Sequence, residues 1–446
     1  MNTPIFDFVK KYAESKTSRM HMPGHKGKGT FGCEQFDITE IDGADVLSVG
    51  GGIIGESEAN LTSLFATRQS FYSTEGSTLC IKAMLHLVSM GAPKNSVILA
   101  ARNAHKAFMH GCALLDLDVK WMSSRKNFGI SACLLDKNEV EEYLKAQNTP
   151  VTAVYITSPD YLGNVADVKG IAEVCHRYGT RLLVDNAHGA YLNFLKENMH
   201  PIALGADMCC DSAHKTLPAL TGASYLHISK NAEKYVENAR DAMALFASTS
   251  PSYLTLCSLD LCTKYLAERF KGDLDFTVKR VCELKTKLSE LGFTLIGNEP
   301  MKITVNTADF GYTGDEVADI LRQNGVECEF CDPDFVVLMP SVDSTEADLE
   351  RVLYAFLSIK RKKAIEKTIP TVPSDIKIAM SIREATFSTK KTVSAEEAFG
   401  KICASAAVAC PPAIPIAVCG QVIGREQIEL FEYYGIKTCR VVDQNE

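Results

Sequence analysis

Residues 152–191, TAVYITSPDYLGNVADVKGIAEVCHRYGTRLLVDNAHGAY, read as strand, helix and strand in succession. TAVYITS (152–158) and RLLVDNA (181–187) are near-continuous apolar runs that end in polar residues, the pattern of strands buried on both faces. Between them DVKGIAEVCHRY (167–178) puts Val168, Ile171, Ala172 and Cys175 on one helical face. Upstream the alternation recurs, with helical periodicity over 77–90, a strand at NSVILAAR (95–102) and a helix over 105–115. This order predicts an α/β fold built on a mostly parallel sheet, whose ligands sit beyond the carboxyl ends of the strands. After about residue 229 the texture changes to long amphipathic helix, KNAEKYVENARDAMALFA and then 258–291. Strands at TLIGN, KITVNT and VVLMP and a helix in DLERVLYAFLSIKRKKAIEK follow, and the proline-punctuated TIPTVPSD (368–375) makes a break. Three parts are expected: an N-terminal arm with a large domain (1–260), a small α+β domain (261–367) and a C-terminal module (368–446).

The 446 residues are 46% apolar and 23% charged, the profile of an ordinary globular chain. The 47 basic and 55 acidic side chains leave a net charge of -8, which disfavours nucleic acid or anionic lipid as partner. No apolar run reaches the ~18–20 residues that would cross a bilayer. The mixed-charge start MNTPIFDFVKKYAESK lacks a signal-peptide core, so a cytoplasmic location is expected. Sixteen cysteines raise the question of disulfides or metal, but a single C-x-x-C, Cys328 and Cys331, lacks a second pair to complete a zinc site. Val326, Cys328 and Phe330 alternate like one face of a strand, which favours buried thiols over metal ligands.

Five segments invite a chemical reading. Gly50, Gly52 and Gly55 match G-x-G-x-x-G, but a lone match is weak and fits a flexible glycine loop better than a dinucleotide site. In STEGSTLCIKAMLHLV, Gly76, Ser77 and Thr78 open a helix whose N-terminus is either a phosphate cup or simply capped. His105 follows a strand, as a helix cap or as an imidazole laid against an aromatic ligand. Asp185 ends another strand with His188 three residues on, as a loop cap or as the carboxylate that holds a cationic ring nitrogen. Ser212, His214 and Lys215 in DSAHKTLPALTG set a lysine among small and apolar residues, where an amine becomes a Schiff-base nucleophile. Together these are the parts of a pyridoxal 5′-phosphate site. All ten histidines lie at or before His227, in the half that holds them.

The chain resembles the bacterial ornithine/lysine/arginine decarboxylases, in their short form without the wing domain, which are pyridoxal-phosphate enzymes of the aspartate-aminotransferase fold type I. The resemblance rests on TPIFDFVKKY, HMPGHKGKG, FDITEIDGADVL, STEGST, RNAHKA, VDNAHGAY, SAHKTLPALTG, ASTSPSYL, SIREATF and CPPAIPIAVCGQVI, in family order. It implies that Lys215 forms the internal aldimine, His105 stacks on the ring, Asp185 pairs with the ring nitrogen and His188 lies beside the cofactor. It implies further that Ser77 and Thr78 hold the phosphate with Ser212 and His214 close by, and that Thr249 reaches the phosphate of a neighbouring subunit in a homodimer with shared sites. The implied reaction removes carbon dioxide from a small cationic amino acid, with Glu384 of SIREATF as the candidate partner of the distal cation.

Four departures bear on substrate. Ala107 stands where the family usually has serine, and Asn186 where it has an acid. Cys410-Pro411-Pro412-Ala413 and Cys419-Gly420-Gln421 replace a tyrosine-proline-proline-glycine and a proline-glycine-glutamate. They keep open a transaminase or other α-carbon enzyme, or a cofactor-binding protein without turnover.

Overall fold

A computed structural model describes residues 1–126, 129–366, 369–370, 372, 376–405 and 414–443. The chain begins with α1 (Pro4–Glu14), α2 (Gly52–Phe65), β1 (Gln69–Ser73), α3 (Gly76–Ser89), β2 (Val97–Ala101), α4 (Lys106–Leu115), β3 (Asp118–Met122) and α5 (Lys137–Lys145). Next come β4 (Val151–Thr157), α6 (Val168–Arg177), β5 (Arg181–Asp185), β6 (Met208–Asp211), α7 (Ala213–Thr216), β7 (Ser224–Ile228), α8 (Val236–Ala244), α9 (Tyr253–Glu268) and α10 (Phe270–Glu290). It continues through β8 (Thr294–Ile296), β9 (Ile303–Asn306), α11 (Gly314–Gln323), β10 (Phe330–Cys331), β11 (Phe335–Leu338) and α12 (Glu346–Leu357). Last are α13 (Ile382–Phe387), β12 (Lys390–Ser394), α14 (Arg425–Tyr433) and β13 (Thr438–Val442). Two compact units interleave along the chain, Met1–Gly91 with Arg181–Leu274 and Ala92–Thr180 with Asp275–Glu446.

In the first unit the strands run in the order β1-β7-β6-β5. β5 and β6 are parallel, with Asp185 opposite Cys210, so both release their chemistry-bearing residues at the same edge. β7 is antiparallel to β6 and to β1, which leaves the sheet mostly parallel, as expected. Helix α3 packs against β5, β6 and β7. Its first residue, Gly76, has φ +69°, a left-handed conformation that side-chain-bearing residues rarely adopt. A Cβ at Gly222 would stand 2.8 Å from the carbonyl oxygen of Thr74, so the loop before β7 can lie against the β1–α3 turn only as glycine.

In the second unit β4-β2-β3 form a parallel layer. The helical face expected in 167–178 is real: Val168, Ile171, Ala172 and Cys175 are all buried on α6, whose N-cap Asp167 accepts the Gly170 N–H. An antiparallel sheet in the order β10-β11-β9-β8 and a two-stranded antiparallel sheet of β12 and β13 complete this unit, the latter packing with α14 around Phe431.

Two long helices expected from periodicity are interrupted. KNAEKY is a 3-10 segment with a kink at Ala232 before α8 begins, and 258–291 is divided between α9 and α10 at Arg269 (φ -137°). The buried pair expected at Cys328 and Cys331 is corrected: both thiols are partly exposed, because β10 is only two residues long and Cys328 lies in the link before it. All fifteen described cysteines are free thiols, and ten are buried. No helix among the described residues is long and apolar enough to cross a membrane.

Candidate functional site

In the first unit the β1–α3 turn and the β6–α7 turn meet. The N-cap of α3, Glu75, makes no side-chain cap, and Gly76 N–H donates to the Gly222 carbonyl at 2.8 Å. The following N–H groups face outward at the positive end of the helix. Ser212 Oγ donates to Ser77 Oγ at 3.0 Å, which gathers two hydroxyls at that helix end, and Thr78 is exposed on the same turn. A Cβ at Gly76 would meet nothing within 4 Å, so the space beside the turn is open. Uncapped N–H groups, two hydroxyls and open room suit a phosphate dianion.

Ser212 also starts α7, and its carbonyl accepts the Lys215 N–H at 3.0 Å. Lys215 Nζ stands 2.9 Å from His188 Nε2. Asp185, buried at the end of β5, accepts from the Ala187 N–H at 3.2 Å and the Cys210 thiol at 3.6 Å, both through Oδ1. Burial, followed by the Asp185 charge, holds the Cys210 thiol well above its ordinary range, so it acts as a donor. His214 Nδ1 lies 3.0 Å from the Ala223 carbonyl. Burial lowers its pKa, the carbonyl opposes this and Lys215 adds to it, so a neutral ring with its hydrogen on Nδ1 is the form the site selects.

Behind these residues lies a network that sequence inspection missed. Asp211, fully buried at the end of β6, receives Nε2 of His200 at 3.0 Å and Nε2 of His227 at 3.2 Å on one oxygen. Asn186 Nδ2 donates to its other oxygen at 2.6 Å. Burial alone would raise the Asp211 carboxyl, but the two imidazoles outweigh it and hold the group well below the usual carboxylate range. Ser70 Oγ sits 2.7 Å from His227 Nδ1 and the Ile202 N–H 3.4 Å from His200 Nδ1, so both rings are served as neutral Nε2–H tautomers. His200, Cys209 and Asp211 have the atom types of a metal trio, yet these hydrogen bonds already engage the Asp211 carboxylate and both imidazoles.

The glycine run is a loop only at its start: Gly50 and Gly51 precede α2, whereas Gly52 opens that helix and Gly55 lies inside it. A Cβ at Gly50 would overlap the Arg240 guanidinium. That arginine pairs with buried Glu58, whose carboxyl burial pushes up to about 7 against the pull of Arg240. Arg240 also lines a cavity of about 120 Å³ with Thr74, Glu75, Ser248 and Thr249. Ser248 N–H donates to Glu75 Oε1 at 2.6 Å, which holds the Thr249 segment beside the start of α3 in the same chain.

In the second unit His105 is the N-cap of α4, and its Nδ1 accepts the Ala107 N–H at 3.1 Å. Arg383 of α13 donates to the carbonyls of Ala113 and Leu114 at the far end of α4. Glu384 Oε2 accepts the Ser381 N–H at 2.8 Å in a capping box, and that bond, with help from the Ser381 side chain, lowers its pKa. Gly420 has φ +86°, and a Cβ there would strike the Met380 carbonyl, while buried Gln421 accepts the Val418 N–H. Cys410, Pro411, Pro412 and Ala413 lie outside the described residues.

Residues 3–296 match the model of the Orn/Lys/Arg decarboxylase family, major domain. The chain belongs to this family. The decarboxylase is 27% identical to the uncharacterized protein YaaO of Bacillus subtilis over 96% of this chain and 93% of that one. It is also 27% identical to an arginine decarboxylase of Bacillus anthracis over 96% and 92%. The solved lysine decarboxylase LdcF of Francisella novicida superposes with TM-score 0.80 at 18% identity, covering 99% of this chain and 81% of its own. These likenesses establish the aspartate-aminotransferase-like fold type I and a decarboxylase. The donor set of the first unit fits the cofactor of that fold: an anion cup, an amine beside an imidazole and a buried carboxylate at a strand end.

Proposed function

We propose that the enzyme decarboxylates arginine, lysine or ornithine with pyridoxal 5′-phosphate bound through Lys215, giving the corresponding amine. The observation that carries this is Lys215 Nζ at 2.9 Å from His188, with a buried Asp185 at the carboxyl end of the neighbouring strand. When bound, pyridoxal phosphate supplies an aldehyde for the substrate amine and a cationic ring that takes up the electrons left by carbon dioxide. Asp185 would keep the proton on the ring nitrogen, since an adjacent opposite charge favours the protonated form. Ser77, Thr78, Ser212 and the Gly76 turn would bind the phosphate, with His214 contributing an uncharged imidazole. His188 can take a proton from Lys215 at Nε2 and return it, freeing the amine to act and later to deliver a proton to the substrate α-carbon.

His105 keeps the ring-stacking role on the resemblance alone. Glu384 remains the carboxylate for the distal cation; its Oε2 already caps α13, which leaves Oε1 for a substrate. A homodimer, with Thr249 serving the partner's phosphate, and a cytoplasmic location complete the proposal.

Borohydride reduction followed by peptide mapping is expected to leave the pyridoxyl group on Lys215, and label on another lysine sinks the assignment. Carbon dioxide release from the three amino acids decides the substrate. Release from none of them overturns the basic-substrate reading.

A further inference from the structure

We propose that the carboxyl ends of β2 and β3, wholly within the second unit, form a binding site for inorganic phosphate. The two strands are parallel neighbours, with Ala101 opposite Met122, and a cavity of about 90 Å³ opens just beyond them. That is the end at which parallel sheets take ligands, and the space far exceeds the ~10–15 Å³ that one water needs. Its walls include Arg102 and Asn103, which follow β2, Ser123 and Ser124, which follow β3, and the exposed Arg125 and Lys126. No carboxylate is among its described lining residues.

Arg102 is 4% exposed and Asn103 3%, yet the fold does not use all of their polar atoms. The Arg102 guanidinium donates through its terminal nitrogens to the carbonyls of Pro415 at 2.7 Å and Ile416 at 2.6 Å, and lies 5.6 Å from the centre of the Trp121 ring. Its Nε is buried without a hydrogen-bond partner among the described residues, and so are both amide atoms of Asn103. Burial lowers the guanidinium to about 10, with only the Cys133 and Cys403 thiols opposing, so it remains a cation at neutral pH. The nearby acids answer to Arg125 instead: its N–H donates to Glu139 Oε1 at 2.8 Å, and its guanidinium pairs with Glu142. A clamp on Pro415 and Ile416 accounts for the terminal nitrogens of Arg102 but not for Nε or for Asn103. Each unpaired buried group costs free energy that a ligand can recover. Hydrogen phosphate matches the set. Its oxygens accept from Arg102 Nε and Asn103 Nδ2, its hydroxyl donates to Asn103 Oδ1, and its charge balances the guanidinium. Sulfate, a carboxylate and a doubly ionised phosphate ester carry no such hydroxyl.

The test is calorimetric titration of inorganic phosphate into the full chain saturated with pyridoxal 5′-phosphate, so that the cup at α3 is already filled. One phosphate per chain is expected, with sulfate and glycerol phosphate weaker by about tenfold or more, since each leaves the Asn103 acceptor unpaired. Asn103→Asp sets a carboxylate beside the guanidinium and should abolish binding. Lys126→Ala, a change at an exposed position, should weaken binding by about threefold through lost attraction. Where Asn103→Asp fails to fold, the sulfate comparison and Lys126→Ala still decide. No binding to the native chain, sulfate bound as tightly as phosphate, or a phosphate affinity unchanged in either variant would each overturn the proposal.

Discussion

A lysine amine 2.9 Å from an imidazole nitrogen restricts where the proton between them can sit. An ammonium has only donors, so His188 accepts at Nε2, and its other nitrogen must then carry a hydrogen if the ring is neutral. This makes His188 a proton store for Lys215. Asp185 has a different task, because its value lies in charge. Asp185→Asn keeps the shape and the Ala187 contact but removes the charge that would hold a ring proton. It is expected to lower kcat by about a hundredfold or more, the scale of losing one electrostatic stabiliser, while cofactor affinity falls far less. Steady-state decarboxylation together with a pyridoxal phosphate titration checks both parts, and unchanged kcat would remove Asp185 from this role.

At the scale of elements, β5 and β6 end side by side, and each delivers a carboxylate in a different electrostatic setting. Asp211 is satisfied by two histidines and by Asn186, which explains why an amide stands at 186: an acid there would face Asp211 at 2.6 Å. Asn186→Asp should therefore destabilise the fold by about 3–5 kcal/mol, the cost of an uncompensated buried charge. Adding Asp211→Asn should recover much of it, because the new amide can accept both imidazole N–H groups with its oxygen and donate with its nitrogen to the carboxylate introduced at position 186. Urea unfolding of the single and double variants measures the coupling, and additive effects would show the two positions to be independent. This network was not legible in the sequence. Strands β2, β4 and β5 and helices α3, α4 and α6 were, because each buries a continuous run or a sustained stripe whose period is unambiguous. Asp211, His200 and His227 come from separate segments that only strand pairing brings together, so no spacing announces them. The confinement of histidines to one half was visible, but two of them serve Asp211 and not a cofactor. The kink at Ala232 and the break at Arg269 were hidden for another reason, since the pieces on either side keep the same apolar face.

For the whole molecule the same network sets a pH limit on stability. Burial lowers the pKa of His227, with Asp211 opposing, so its folded value lies below its unfolded one. The stability it contributes is present above the ordinary histidine value of about 6.5 and is lost as pH falls beneath it, when the unfolded chain binds the proton more readily. Asp211, also depressed, adds a second loss only below the ordinary aspartate range of about 4. Unfolding free energy should thus decline from pH 7.5 to 5, and His227→Gln, which can still donate to Asp211, should remove up to about 1.4 kcal/mol per pH unit of that slope. An unchanged slope in chemical denaturation at several pH values would exclude His227 as its source. The proposed dimer yields a sharper test. If Thr249 serves the phosphate of the partner's site, Thr249→Asp places a charge against that phosphate in the neighbouring subunit and leaves its own Lys215 usable. Lys215→Ala disables only its own site. In a mixed dimer of the two variants, one site collects both defects and the other has neither. Equal amounts, reassociated at random, should recover about a quarter of wild-type activity from two nearly inactive parents, because half the dimers are mixed and each has one intact site of two. If each chain builds its site alone, every site in the mixture carries one defect, and activity stays at the mean of the parents.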